Sequence, residues 1–162
     1  MAAGSTYTPI ATTTLGSAAA TVTFSSISGS YTDLILVADT QNASGADNFL
    51  LNFNSDTGSN YSVTRLNGNG TSASSSRATN QTVLQCGEVN STRSTTIVHI
   101  MNYSNSTTYK TTITRQNTAS ASVAANVNLW RSTAAITSIL ISTSSYNFSA
   151  GSQFTLYGIQ AA

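Results

Sequence analysis

The chain has 162 residues, enough for one domain that buries roughly 70% of its unfolded-chain surface. Hydrophobic residues make up 40% of it, charged residues only 7%, and the formal net charge is +1. Six scattered basic residues do not form the basic face that nucleic acid requires, and no apolar run approaches the ~20 residues of a membrane span.

The polarity comes instead from Ser and Thr, roughly a third of the chain, and from abundant Asn. Disorder is the first rival to a fold in such a composition, but Tyr, Phe, Val, Ile and Thr recur at regular spacing, which disordered segments lack. In chain order the expected strands are Thr6 to Leu15, Thr21 to Phe24, Tyr31 to Asp39, Asp47 to Phe53 and Tyr61 to Leu66. Gln81 to Gln85, Thr95 to Tyr103, Thr107 to Arg115, Asn126 to Arg131, Ile136 to Ser142 and Phe154 to Ile159 follow. Eleven short strands with frequent turn signals and no helical period point to an antiparallel sandwich or barrel in a single domain over 1–162. The first fifteen residues read as an extended arm or edge strand.

Two segments, Leu34 to Ala38 and Ile97 to Met101, are apolar at odd and even positions alike, as in strands covered on both sides by a second sheet and by a loop or a neighbouring chain. The stretches Asn67 to Ser76 and Thr118 to Ala125 hold only small residues and read as flexible insertions. In F-L-L-N-F-N-S-D-T-G-S-N-Y-S, Phe49 to Ser62, the residues Asn52, Asn54, Asp56, Gly58 and Asn60 recur at every second position, as in an oxygen-rich cation loop or the bend of a hairpin. Calcium needs several converging carboxylates and this stretch has one. The hairpin reading therefore prevails, with Phe49, Leu51 and Phe53 inward, Asn48 and Asn52 outward, and Asp56 and Gly58 making the turn.

Groups suited to catalysis are few. His99, the one histidine, sits between Val98 and Ile100 and reads as a satisfied structural residue. Cys86, the one cysteine, cannot form an internal disulfide and has no motif of an activated thiolate. It fits assembly in a reducing cytoplasm, and no charged and apolar leader marks a secretory signal. Asp39 and Asp47 flank one loop, but each is expected to bond local backbone rather than to face the other across a cleft. No phosphate loop, dinucleotide fingerprint or nucleophile elbow is present. The expectation is a protein without enzymatic activity, catalytic residues, cofactor or metal. Tyr7, Ile10 and Trp130, large side chains among small ones, are the candidate interface residues.

Several stretches together resemble one family of tailed-bacteriophage virion proteins. They are Y-T-P-I-A-T-T-T-L-G-S, T-V-T-F-S-S-I-S-G-S-Y-T-D-L-I-L-V, F-N-S-D-T-G-S-N-Y-S, Y-S-N-S-T-T-Y-K-T, and the closing A-I-T-S-I-L-I-S-T-S-S-Y-N-F-S-A-G-S-Q-F-T-L-Y-G-I. The resemblance implies a jelly-roll-like β-sandwich, a homotrimer, and a place in the virion assembled in the host cytoplasm. It implies a capsid decoration (cement) protein bound in many copies to the major capsid protein on the outer head surface. The alternative is a tail-fibre receptor-binding domain that holds glycan through Tyr and Trp, although no stalk segment accompanies it here.

Overall fold

A computed structural model of the chain describes residues 6–118 and 121–160. Among these the fold is all-β, an antiparallel sandwich of twelve strands. They are β1 (Tyr7–Thr14), β2 (Thr21–Phe24), β3 (Asp33–Thr40), β4 (Asp47–Phe53), β5 (Tyr61–Gly68), β6 (Ala73–Gln81), β7 (Leu84–Val89), β8 (Ser94–Met101), β9 (Lys110–Thr118), β10 (Ser122–Trp130), β11 (Ile139–Thr143) and β12 (Gln153–Ile159). Eight form a large sheet in the order β1-β12-β3-β8-β9-β10-β5-β6, and four form a small one in the order β2-β11-β4-β7. From β1 to β4 the chain changes sheet at every step. The hairpins β5–β6 and β9–β10 stay in the large sheet and make it the wider layer.

One apolar cluster lies between the layers, including Leu34, Leu36 and Val98 from the large sheet and Phe49, Leu51, Phe53, Ile139 and Ile141 from the small one. Alternation puts these residues inward because successive strand side chains point to opposite faces. Phe148 joins the core from the segment before β12, edge-on to Phe49 at 6.1 Å and to Phe154 at 5.0 Å. Gly158 of β12 makes room for Tyr31, whose ring atoms lie 2.3–2.6 Å from where a Cβ would stand.

The twelve strands exceed the eleven expected because of β6. Asn69 accepts hydrogen bonds from the amides of Thr71 and Ser72, closing a turn inside the supposed loop. The chain then returns as a strand although β6 has almost no buried side chain; pairing with β5 forms it, not burial. Likewise Ser122 to Ala125 belong to β10, while residues 119–120 of that stretch lie outside the described residues. Of the proposed arm, residues 1–5 lie outside them as well. Tyr7–Thr14 is an edge strand paired with β12.

The stretch after Phe49 is a turn, with Asp56 Oδ1 accepting from the Gly58 amide at 2.8 Å. Two details differ from expectation. Asn52 is buried, because its amide donates to the carbonyls of Asp56 and Thr82. Positive φ falls on Asn54 (52°) and Ser55 (56°) rather than on Gly58. A Cβ at Gly58 would press only on the side-chain ends of Asn60 (Nδ2 at 2.9 Å) and Asp56 (Oδ1 at 3.1 Å).

Candidate functional site

The wide sheet has an inner face toward the small sheet and an outer face that no second sheet covers among the described residues. Cross-strand partners share a face, so the register reads out the outer surface row by row. One row runs Pro9, Tyr157, Ile35, His99, Ile113, Val127, Thr64 and Arg77; the next runs Thr155, Val37, Ile97, Arg115, Ala125, Leu66 and Ser75. Apolar side chains dominate the middle of both. Val123 and Leu66 are each 59% exposed and Val127 is 52% exposed.

The inner face of the same strands is the reverse. Thr112, Thr114, Gln116 and Thr118 of β9 and Asn126 and Asn128 of β10 are all buried. They bond one another and β7: Asn126 Nδ2 donates to the Gln85 carbonyl at 2.9 Å, Asn128 Nδ2 to Thr112 Oγ1 at 3.1 Å and to Cys86 Sγ at 3.7 Å. The β9–β10 hairpin thus buries most of its amides and hydroxyls and turns Ile113, Val123, Ala125, Val127 and Leu129 outward, beside Thr111, Arg115 and Asn117.

Trp130 fixes that polarity. Its indole stacks on Tyr61 at 6.3 Å, meets Phe53 edge-on at 5.5 Å, and donates to Asp56 Oδ2 at 2.7 Å. With a period of two, an inward Trp130 forces Asn128 and Asn126 inward and Leu129 and Val127 outward. The outer face of β5, β6, β8, β9 and β10 forms a groove of about 880 Å³ walled by Leu66, Ala73, Ile97, Val123 and Ala125, with Arg115 among them.

The three candidate interface residues separate. Tyr7 is 53% exposed on the outer face, edge-on to Tyr157 at 6.2 Å. Ile10 points the other way and packs against the core. Trp130 is a correction: at 2% exposure its ring belongs to the core and is no contact surface in this chain. The groove residues Leu66, Val123 and Arg115 were not singled out in the sequence, although Val123 lies in the stretch set aside as flexible.

The reactive side chains do not converge. His99 Nε2 and Asp33 Oδ2 share a hydrogen bond at 2.8 Å on the outer face, whereas Cys86 is buried between the sheets and its thiol is pushed up to about 12 by burial. Asp47 accepts from the amides of Asn48, Ser144, Ser145 and Tyr146, and Asp39 pairs with Arg93 at 2.9 Å. Neither is held by local backbone alone as the sequence suggested: Asp39 bonds an arginine side chain just before β8, and three of the four amides on Asp47 come from the segment after β11. Lys110 is buried, donates to the carbonyls of Thr108 and Thr133, and has its amine pulled below the ordinary lysine value by burial. Among the described residues no three of His, Cys, Asp and Glu gather as metal ligands would.

The chain matches no family, no curated protein and no solved structure.

Proposed function

We propose that this protein is a virion structural protein, a capsid cement protein that works through contact area and not through chemistry. The sandwich fits a jelly roll. Without the two inserted hairpins the sheets read β1-β12-β3-β8 and β2-β11-β4-β7, the interleaved order made by two Greek keys. The observation that carries the docking role is the inversion of β9 and β10, where Ile113, Val123 and Val127 face solvent while Thr112, Thr114, Gln116, Thr118, Asn126 and Asn128 lie inside. An apolar patch held outward on a rigid sheet marks a binding face more than a folding accident.

The surface around the patch is hydroxyl and amide, so many copies can crowd on one shell without mutual charge repulsion or the cost of burying ions. Tyr7 lies at the margin of the same face and remains a contact candidate. A homotrimer is the proposed assembly, and the mass of the protein in solution tests it. A monomer at micromolar concentration would remove it.

The deciding experiment is location. Gold-labelled antibody on intact virions is expected to mark the head in many copies. Labelling confined to the tail would overturn the cement reading.

A further inference from the structure

The outer groove contains a charge with no counter-charge among the described residues. Arg115 lies on β9 with Ile97 of β8 on one side and Ala125 of β10 on the other, and among the described residues its guanidinium has no carboxylate partner. The chain has five acidic side chains, and every one is engaged elsewhere. Asp33 holds His99 and the Asn102 amide, and Asp39 holds Arg93. Asp47 takes four backbone amides, and Asp56 takes Trp130, Asn60 and the Gly58 amide. Glu88 takes Arg65 at 3.7 Å and Ser122 at 3.3 Å.

Covering the groove would take Arg115 out of water, and a buried guanidinium without a counter-charge is strongly unfavourable. A second copy of this chain has no uncommitted side-chain carboxylate to bring to it. We infer that the groove receives a different protein, through a segment whose aliphatic side chains flank one Asp or Glu. The carboxylate takes the planar fork of Arg115 in two parallel hydrogen bonds, and the aliphatic side chains lie on Leu66, Ile97 and Val123. The segment is extended, because β6 forms one lip of the groove and is a sheet edge unpaired among the described residues. β6 has nine residues, no proline and nearly complete exposure. The opposite edge, β1, is blunted by Pro9 and a register shift. The inference rests on the docking role proposed above and names the chemistry of the partner.

The test uses the full chain, labelled with nitrogen-15, and three capped hexapeptides at up to millimolar concentration. These are Thr-Val-Asp-Val-Thr-Val and the same sequence with Asn or Lys in place of Asp. The Asp peptide is expected to shift the amides of β5, β6, β9 and β10 around the groove. The Asn peptide should bind about tenfold more weakly, the loss expected for one charge-assisted pair, and the Lys peptide more weakly still. Arg115→Met should abolish the preference for Asp, leave amide positions away from the groove unchanged, and leave the oligomeric state by sedimentation unchanged.

Equal binding of the Asp and Asn peptides, preference for Lys, shifts elsewhere, or no binding by any peptide would overturn the inference. So would an oligomer that changes with Arg115→Met, since a second copy would then occupy the groove. The readout does not depend on where the protein sits in a particle. A head-bound protein with a groove indifferent to carboxylate refutes this inference alone, and a tail protein with an Asp-selective groove refutes the cement reading alone.

Discussion

The indole of Trp130 donates to the carboxylate of Asp56 at 2.7 Å, tying the end of β10 to the corner after β4. That bond is one of several between the two layers, and through the period of two it helps set which face of the β9–β10 hairpin looks outward. Trp130→Phe keeps the ring stack and loses the donor, so it is expected to cost about 1–2 kcal/mol. Trp130→Ala also empties the pocket against Phe53 and Tyr61 and is expected to cost about 3–5 kcal/mol. Urea unfolding midpoints measure both, and equal losses for the two variants would remove the hydrogen bond from the explanation.

Acid sensitivity follows from the same corner. Burial alone would raise the carboxyl of Asp56, but the hydrogen bonds from Trp130, Asn60 and the Gly58 amide outweigh it and hold the group below the ordinary 3.8. Asp47 behaves alike: burial raises it, and the amides of Tyr146, Ser145, Asn48 and Ser144 together lower it further. A carboxyl lower in the folded than in the unfolded state contributes stability that is whole above the unfolded value and is lost as pH falls through the folded value. Stability should therefore be flat from neutrality to about pH 5 and decline below about pH 4. Asp47→Asn and Asp56→Asn should each flatten the decline while lowering stability at neutral pH. A decline equally steep in both variants would place the acid-sensitive groups elsewhere.

Two glycines are required by space. At Gly87, where φ is +142°, a Cβ would come within 2.7 and 2.9 Å of the Gln116 side chain, and Gln116 is itself buried. At Gly158 a Cβ would enter the ring of Tyr31. Gly87→Ala and Gly158→Ala are each expected to destabilise by about 2–3 kcal/mol. Gly16→Ala, with open space at that position, should stay within about 0.5 kcal/mol and serves as the control. Thermal unfolding of the three variants makes the comparison.

Cys86 gives a chemical test of the packing. Its thiol is fully buried and held protonated up to about pH 12, so neither access nor thiolate favours attack. A thiol reagent of the aryl disulfide type should react only at the rate of unfolding at neutral pH, and fully in denaturant. Rapid labelling of the native protein would mean that β7 opens readily from β9 and β10.

Much of this architecture is legible in the residues themselves. Phe49, Leu51 and Phe53 recur at every second position between Asn48 and Asn54, interrupted by an apolar Leu50, and β4 spans that period. Strand β6 leaves no such trace, because A-S-S-S-R-A-T-N-Q has no apolar period to read and forms on the strength of backbone pairing with β5. The outer site was hidden for a different reason. In Asn126-Val127-Asn128-Leu129 the period of two says that the faces differ, but the usual assumption puts Val and Leu inside. Only the tertiary anchoring of Trp130 reverses that choice. Arg115 was invisible as a site residue because its isolation depends on where all five carboxylates end up, which no local pattern encodes.

If the outer face docks, it can be disabled without disturbing the fold. Ile113 and Val127 are direct cross-strand partners at its centre, and both are exposed. Lysine at either position can lay its aliphatic stem along the neighbours and keep its ammonium in water, so Ile113→Lys and Val127→Lys should each change stability by less than about 1 kcal/mol. Docking would strip water from that ammonium with no partner provided for it, and occupancy on isolated heads should fall by about a hundredfold or more. Wild-type occupancy should change little between low and moderate salt, because screening weakens exposed charge pairs far more than apolar contact. The opposite pattern, unaffected lysine variants with a wild type that dissociates as salt rises, would transfer the contact to a charged surface elsewhere on the sandwich.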